Sequence, residues 1–407
     1  MKPRCAVFGL LAILPSAHAG FILGEKKSED DLVIPEGTVL VPLRMVNNMT
    51  AYAIDLQIGT PPQNVTALLS TMDDIEYSVQ SPSNPACKEG FCSQFGSYNH
   101  TSSSTAKYSG PGFNGSGGTG SFVTDQLCLG GLGGKCLKEA RFGVLEKPSS
   151  NRPITRQQGG TIGLGTHCET ANCTSISTIV DQLYKEKLIK TRSYSMFLGK
   201  GKENNTAPWY EKGHILFGGI DIAKRYHPTV VRSLQNSTRH VDSPQRFHVK
   251  SLQIKTIWFR PWPLHIFPLG GVEFTIDPTS TRWTLPKVLK DSLYKRWKAK
   301  EPDENGRVEV DCGPRFKDGG RYVKINFGVG VGGKDEEMII IPNKAILKDS
   351  NKKCWADLDV GEEGGVWGQP FLRSVYLTIN YDNMTMEMSR IHTGRLFPPF
   401  PDLITIE

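Results

Sequence analysis

The hydrophobic positions of the chain come in short runs. Ala51 to Ile58, Gly120 to Val123, His214 to Phe217, Tyr322 to Phe327, Met338 to Ile341 and Val375 to Tyr381 are rich in Val, Ile, Thr and aromatic residues, and Gly, Pro, Asn or Ser separates them. Runs of this kind predict β-strands. Helical spacing is brief: Ser175 to Glu186 and Lys287 to Lys298 place apolar residues three to four apart. Ser/Gly-rich stretches at 102–104 and 110–120 read as loops. The pattern predicts an all-β fold, and it repeats faintly. Ser70-Thr71-Met72 is followed by Gly160-Thr161-Ile162-Gly163-Leu164-Gly165, and Asp277-Pro278-Thr279 by Gly364-Gly365-Val366-Trp367-Gly368-Gln369, at similar separations. Two β-rich halves are expected, each with one turn and one later apolar-glycine stretch.

At 407 residues, 38% of them hydrophobic, the chain can bury the cores of two lobes. The net charge of +7 comes with no dense Lys/Arg run interleaved with aromatics, which argues against a nucleic-acid partner. Lys2 and Arg4 precede the apolar run Ala6 to Leu14, and Ala17-His18-Ala19 offers small residues at the spacing of a signal-peptidase site. Residues 1–19 are therefore predicted to be a secretory signal peptide. The apolar run is too short to span a bilayer, and 397–407 lack a lipid-anchor tail. A secreted, extracellular monomer without a membrane anchor is expected.

Without Cys5, eight cysteines remain: Cys87, Cys92, Cys128, Cys136, Cys168, Cys173, Cys312 and Cys354. An even number in a secretory chain implies disulfides. Short spacings favour Cys87–Cys92, Cys128–Cys136 and Cys168–Cys173, which leaves Cys312–Cys354. A zinc site would want Cys-x2-Cys pairs and partnered histidines, so no metal and no cofactor is expected. Asn-x-Ser/Thr sequons begin at Asn48, Asn64, Asn99, Asn114, Asn172, Asn204, Asn236 and Asn383, and predict a glycoprotein. Asn172, beside Cys173 and inside a proposed disulfide loop, is expected to be poorly used. His167 and His265 read as surface or satisfied histidines. Trp258-Phe259-Arg260-Pro261-Trp262-Pro263 reads as packing around a Pro-rich turn.

Several longer words carry a resemblance. Ala53-Ile54-Asp55-Leu56-Gln57-Ile58-Gly59-Thr60-Pro61-Pro62-Gln63 leads into Leu68-Leu69-Ser70-Thr71-Met72-Asp73-Asp74. Ile215-Leu216-Phe217-Gly218-Gly219-Ile220-Asp221, Trp283-Thr284-Leu285-Pro286 and Gly368-Gln369-Pro370-Phe371-Leu372-Arg373-Ser374-Val375-Tyr376 follow. From about Ala51 to Arg390 the chain resembles the pepsin-like aspartic peptidases, whose corresponding words read D-h-x-I-G-T-P-P-Q, L-h-D-T-G-S-S, h-x-F-G-G-I-D, h-T-L-P and G-D-x-F-L-R-x-x-Y. The resemblance implies an all-β, bilobal pepsin-like fold with a central cleft. Residues 20–44 would form a short N-terminal segment, 45–205 the N-terminal β lobe and 206–407 the C-terminal β lobe. Cys87-x4-Cys92 is similar to the family's small disulfide loop, and the late bridge to the one in its C-terminal lobe. Phe113 to Asp125 resembles the flap hairpin, with Phe113 in place of the flap tyrosine.

Aspartic peptidases set two carboxylates about a hydrogen bond apart, sharing one proton because two like charges that close cannot both ionise. One activates water as a base and the other donates to the substrate carbonyl. Asp277 matches the second of the pair. Ser70 stands where the first should be, and a serine hydroxyl is far too weak an acid to replace a carboxylate. Met72 and Thr279 replace the glycines of the two turns, whose freedom lets the substrate backbone approach. The family's turn threonines bond to each other through hydroxyl and N–H. Thr71 is kept, but Pro278 has neither group. Thr71, Met72, Phe113 and Thr279 are the expected cleft residues.

Two readings of function follow. The favoured one is a proteolytically inactive pseudopeptidase that binds a peptide, a protein or a small ligand; the short segment 20–44 leaves little room for the family's basic pro-segment. In the other, an enzyme keeps a remodelled site. That site is either an endopeptidase pairing Asp73 with Asp277, acid and hydroxyl exchanged within one turn, or a non-peptidase activity with Asp277 as the lone acid or base. Asp73 and Asp74 read better as residues capping local N–H groups. A loop-based inhibitor or decoy is a third possibility.

Overall fold

A computed structural model of the chain describes residues 32–46, 51–71, 77–88, 91–115, 118–130, 134–148, 160–165, 178–199, 212–234, 248–251, 253–257, 264–266, 271–303, 307–313, 322–330, 333–340, 342–348, 351–361, 363–391 and 400–406. Strands dominate them. Ala51–Ile58 and His214–Phe217 form with the bounds that the hydrophobic runs suggest. Gly118–Leu129 and Tyr322–Val329 cover two more runs and extend beyond them, because ladder pairing carries polar residues along; Asp335–Ile340 overlaps the Met338–Ile341 run, and Val375–Asn380 ends one residue before Tyr381. The helix Ile179–Lys185 starts at Thr178, whose hydroxyl accepts from the Asp181 N–H at 3.2 Å. The helix Lys287–Trp297 buries Leu289, Leu293 and Trp297, one stripe at i, i+4, i+8.

An eight-stranded sheet is built from residues 44–163. Its order is Arg44–Val46, Ala51–Ile58, Gln63–Ser70, Gly160–Gly163, Tyr77–Gln80, Cys136–Pro148, Gly118–Leu129, Lys107–Gly115. Residues 248–367 supply a five-stranded sheet centred on Gly365–Trp367 and a four-stranded sheet containing Tyr322–Val329. A six-stranded sheet draws on both parts of the chain: Val39–Pro42, His214–Phe217, Ser193–Phe197, Val375–Asn380, Thr385–Ile391 and Arg225–Ser233. This is the all-β, bilobal arrangement expected from the sequence. In the C-terminal core Trp367 stacks on Phe274 at 4.5 Å and packs against Phe371 at 4.6 Å, with Trp283, Trp297 and Trp367 fully buried.

A buried polar cluster sits at the six-stranded sheet. His214 and Asp221 are completely buried, and Lys224 is nearly so. His214 Nε2 lies 3.4 Å from Asp221 Oδ2. Burial, helped by Lys224, pushes the His214 pKa down to about 3, and burial pushes Asp221 up to about 6. Both shifts favour the neutral forms, so the contact is no ion pair at neutral pH: the imidazole is uncharged. Asp221 Oδ1 accepts from the N–H groups of Ala223 and Asp402, and the Asp221 N–H donates to the Tyr376 hydroxyl. Asp221 thereby pins the strand Leu403–Thr405, which pairs with Gly219–Asp221.

Candidate active site

Each signature turn sits at the end of a strand with a later, parallel partner. Gln63–Ser70 is buried from Val65 onward and forms a hairpin with Ala51–Ile58. The turn between them needs Gly59: its φ is +82°, and a Cβ there would lie 2.6 Å from Ser103 Oγ and 2.8 Å from Asp125 Oδ2. Asp125 is itself buried and accepts from the hydroxyls of Tyr98 and Thr105, each at 2.6 Å. Burial raises its pKa, but bonds from Thr105, Tyr98 and Ser103 outweigh burial and hold it below the usual carboxylate value. Ala67–Ser70 then runs parallel to Gly160–Gly163, with Ser70 opposite Gly163 and the Leu164 N–H donating to the Ser70 carbonyl at 2.7 Å. The second half repeats the plan. Phe274–Ile276 runs parallel to Gly365–Trp367, and the Asp277 N–H reaches the Trp367 carbonyl at 3.3 Å. The faint internal repeat is thus a pair of parallel strand couples, one ending at Ser70 and the other just before Asp277.

The two turns meet. Thr71, just after Ser70, donates its hydroxyl to the carbonyl of Ile276, just before Asp277, at 2.9 Å. This is one half of a cross-turn clasp. The reciprocal half is missing because Pro278 has neither hydroxyl nor N–H. Ser70 is 2% exposed and Asp277 6% exposed, so both end in a nearly dry place.

The second turn is braced from its own side. The Thr279 N–H donates to Asp277 Oδ1 at 2.8 Å, as glycine would allow, and its hydroxyl lies 2.7 and 2.9 Å from the two carboxylate oxygens. A glycine cannot make that last contact. The Pro278 carbonyl accepts from Gln369 Nε2 at 3.0 Å, and the Gln369 N–H donates to the Ser280 carbonyl at 2.8 Å. Gln369 was not among the expected site residues. Its signal was present, since the related word carries an aspartate there, and an ionised aspartate cannot donate.

The flap hairpin forms from Lys107–Gly115 and Gly118–Leu129, with Gly115 opposite Gly118. Phe113 is 4% exposed. It meets Phe122 edge-on at 5.5 Å, packs with Leu145, and lies where a Cβ on Gly143 would come within 2.4 Å of its ring. The ring is held by its own sheet.

Met72, Asp73 and Asp74 lie outside the described residues, as do His167, 258–263, Cys168, Cys173, Asn48, Asn172, Asn204 and Asn236. The other three expected disulfides, Cys87–Cys92, Cys128–Cys136 and Cys312–Cys354, are formed. Among the described residues no group of His, Cys, Asp and Glu is placed to hold a metal, and no helix is long and apolar enough to cross a membrane.

A sequence profile of the eukaryotic aspartyl proteases matches residues 51–391. The chain is 27% identical over 357 residues to the probable aspartic-type endopeptidase OPSB of Arthroderma benhamiae, covering 83% of this chain and 68% of that one. It is 25% identical over 380 residues to secreted aspartic protease 10 of Candida albicans, covering 86% and 74%. A shorter match, 27% over 194 residues, joins it to candidapepsin-4 of Candida albicans, covering 45% and 42%.

Proposed function

The chain belongs to the eukaryotic aspartyl protease family, and from that premise we propose that it is a secreted pseudopeptidase, a monomer that binds a peptide, a protein or a small ligand in its cleft without cutting it. One observation carries the reading: the position that should supply the first carboxylate ends its buried strand in Ser70, beside the turn that holds Asp277. Water activation in this family needs a base and an acid that exchange one proton. A hydroxyl is neither at acid pH. Asp277 alone can accept a proton from water, but position 70 then offers no carboxyl to protonate the substrate carbonyl. The half-clasp at Thr71 and Pro278 agrees, since a site relieved of catalysis has less need for two rigidly coupled turns. Secretion rests on the signal-like residues 1–19 and on relatives that are named as secreted proteases.

The relatives' names favour a rival, an active endopeptidase; in this chain it would have to pair Asp73 with Asp277. Incubation of the purified protein with a denatured protein substrate at acid pH separates the two. The pseudopeptidase leaves the substrate intact, and Asp277→Asn changes nothing. Pepstatin-sensitive cleavage abolished by both Asp277→Asn and Asp73→Ala would overturn it.

A further inference from the structure

A groove of about 850 Å³ opens on the N-terminal β system, and neither Ser70 nor Asp277 lines it. Its rims are tied by two disulfides, since Cys92, Cys128 and Cys136 all contribute to the wall. Its lining is mixed: Arg44, Asp55, Gln57 and Gln94 supply polar groups beside apolar Leu56 and Phe95. Asn64 lines it too, and Asn64-Val65-Thr66 is a sequon.

The sequons within the described residues differ in how their asparagines are used. Asn99 commits both ends of its amide: Oδ1 accepts from the N–H and hydroxyl of Thr101, and Nδ2 donates to Ser102 Oγ at 2.9 Å. Asn64 is exposed, and its one side-chain hydrogen bond among the described residues uses Oδ1, which accepts from Gln57 Nε2 at 3.4 Å. Nδ2 is the atom a glycan needs. Thr66 is buried in the folded strand, where its hydroxyl donates to Asp55 and accepts from Arg44, so a transferase must read this sequon before the strand pairs.

We propose that Asn64 carries an N-linked glycan whose first N-acetylglucosamine units lie in this groove. In the transfer a bond forms between Nδ2 and the sugar C1. The C1–O bond to a dolichyl-pyrophosphate donor breaks, the dolichyl pyrophosphate leaves, and Nδ2 loses one proton to solvent. The volume falls in the range of sites that enclose small molecules. The amides of Gln57 and Gln94 offer both donors and acceptors to the sugar's acetamide and hydroxyls. The carbohydrate fills space that water would otherwise occupy, and its apolar ring faces suit the apolar part of the wall. The inference is independent of the chemistry of the cleft.

The test uses the full chain secreted from a eukaryotic host that adds high-mannose glycans. Mass spectrometry reads site occupancy, and endoglycosidase H is applied to native and to denatured protein. Asn64 is expected to be occupied, and its glycan to be released about tenfold more slowly, or slower still, from the native protein than from the denatured one. Glycans found on the exposed Asn114 or Asn383 serve as the reference for unhindered release. An unmodified Asn64, or release as fast from the native protein as from the denatured, would overturn the proposal. In a Gln57→Ala/Gln94→Ala variant the native release at Asn64 should speed up with occupancy unchanged; an unaltered rate would place the shielding elsewhere and overturn the groove.

Discussion

Placing a carboxyl group at position 70 tests the geometry of the two turns directly. Ser70 and Asp277 are 2% and 6% exposed, and the Thr71 hydroxyl to Ile276 carbonyl bond of 2.9 Å ties their neighbours together. In Ser70→Asp a second carboxylate therefore enters beside Asp277 with little water to screen it. Two such groups cannot both ionise, so the pair keeps one proton and one titration moves upward. An upward shift of about two to three units is worth about 3–4 kcal/mol. The sign follows from where the proton sits. The folded state holds it above the pH at which an unfolded aspartate, near 4, would release it. The penalty is thus absent at the acid end, grows as pH rises through the raised value, and is complete at neutrality. Urea unfolding at about pH 4 and about pH 7 reads it, with the variant expected within ~1 kcal/mol of the parent at the lower pH and about 3–4 kcal/mol less stable at the higher. Equal losses at both, or none at the higher pH, would show that position 70 does not face Asp277, and the account of the site would fall.

Three further outcomes are expected. Thr71→Val removes the clasp to Ile276 and leaves a buried carbonyl short of a donor, which should cost about 1–3 kcal/mol in urea unfolding; an unchanged midpoint would mean that the turns are held by other contacts. Tyr98→Phe takes a 2.6 Å donor from buried Asp125 and should cost about 1.5–3 kcal/mol at neutral pH. Because the Asp125 pKa is depressed, its stabilisation is present above the unfolded carboxylate value and fades as pH falls, so the cost should shrink in acid; a pH-independent loss would contradict this. His214→Gln should change the slope of stability against pH. In the parent, His214 with its pKa near 3 loses stability as pH falls from about 6.5, while Asp221, near 6, gains stability as pH falls toward 4, and the two oppose each other. The variant loses the His214 penalty, so its thermal midpoint should gain on the parent's as pH falls from about 6 to about 4; a difference that stays constant or shrinks over this range would refute the assignment.

Much of the architecture was legible because its signals are local. The runs at 51–58 and 214–217 stand between turn residues and became strands with those bounds. The repeat of turn and later glycine word was legible too, although only the structure shows that Ser70 and Gly163 are direct ladder partners. Three disulfides followed from short spacing and elimination. What the chain alone did not reveal depends on contacts between distant segments. Gln369 reaches the Pro278 carbonyl across a long separation in sequence. Thr279 read as a lost glycine, yet its hydroxyl bonds the Asp277 carboxylate. His214 carries no signal of its own in its apolar run, and only the fold brings Asp221 and Lys224 to it. A residue type suggests a range of partners, and the tertiary path decides among them.

The mixed origin of the six-stranded sheet has a consequence for any attempt to divide the protein. Ser193–Phe197 pairs on one side with His214–Phe217 and on the other with Val375–Asn380. A fragment truncated after residue 205 would carry that apolar strand with both ladders stripped, a template for self-association. Such halves should precipitate when made singly and recover solubility when produced together, each acting as the other's missing scaffold.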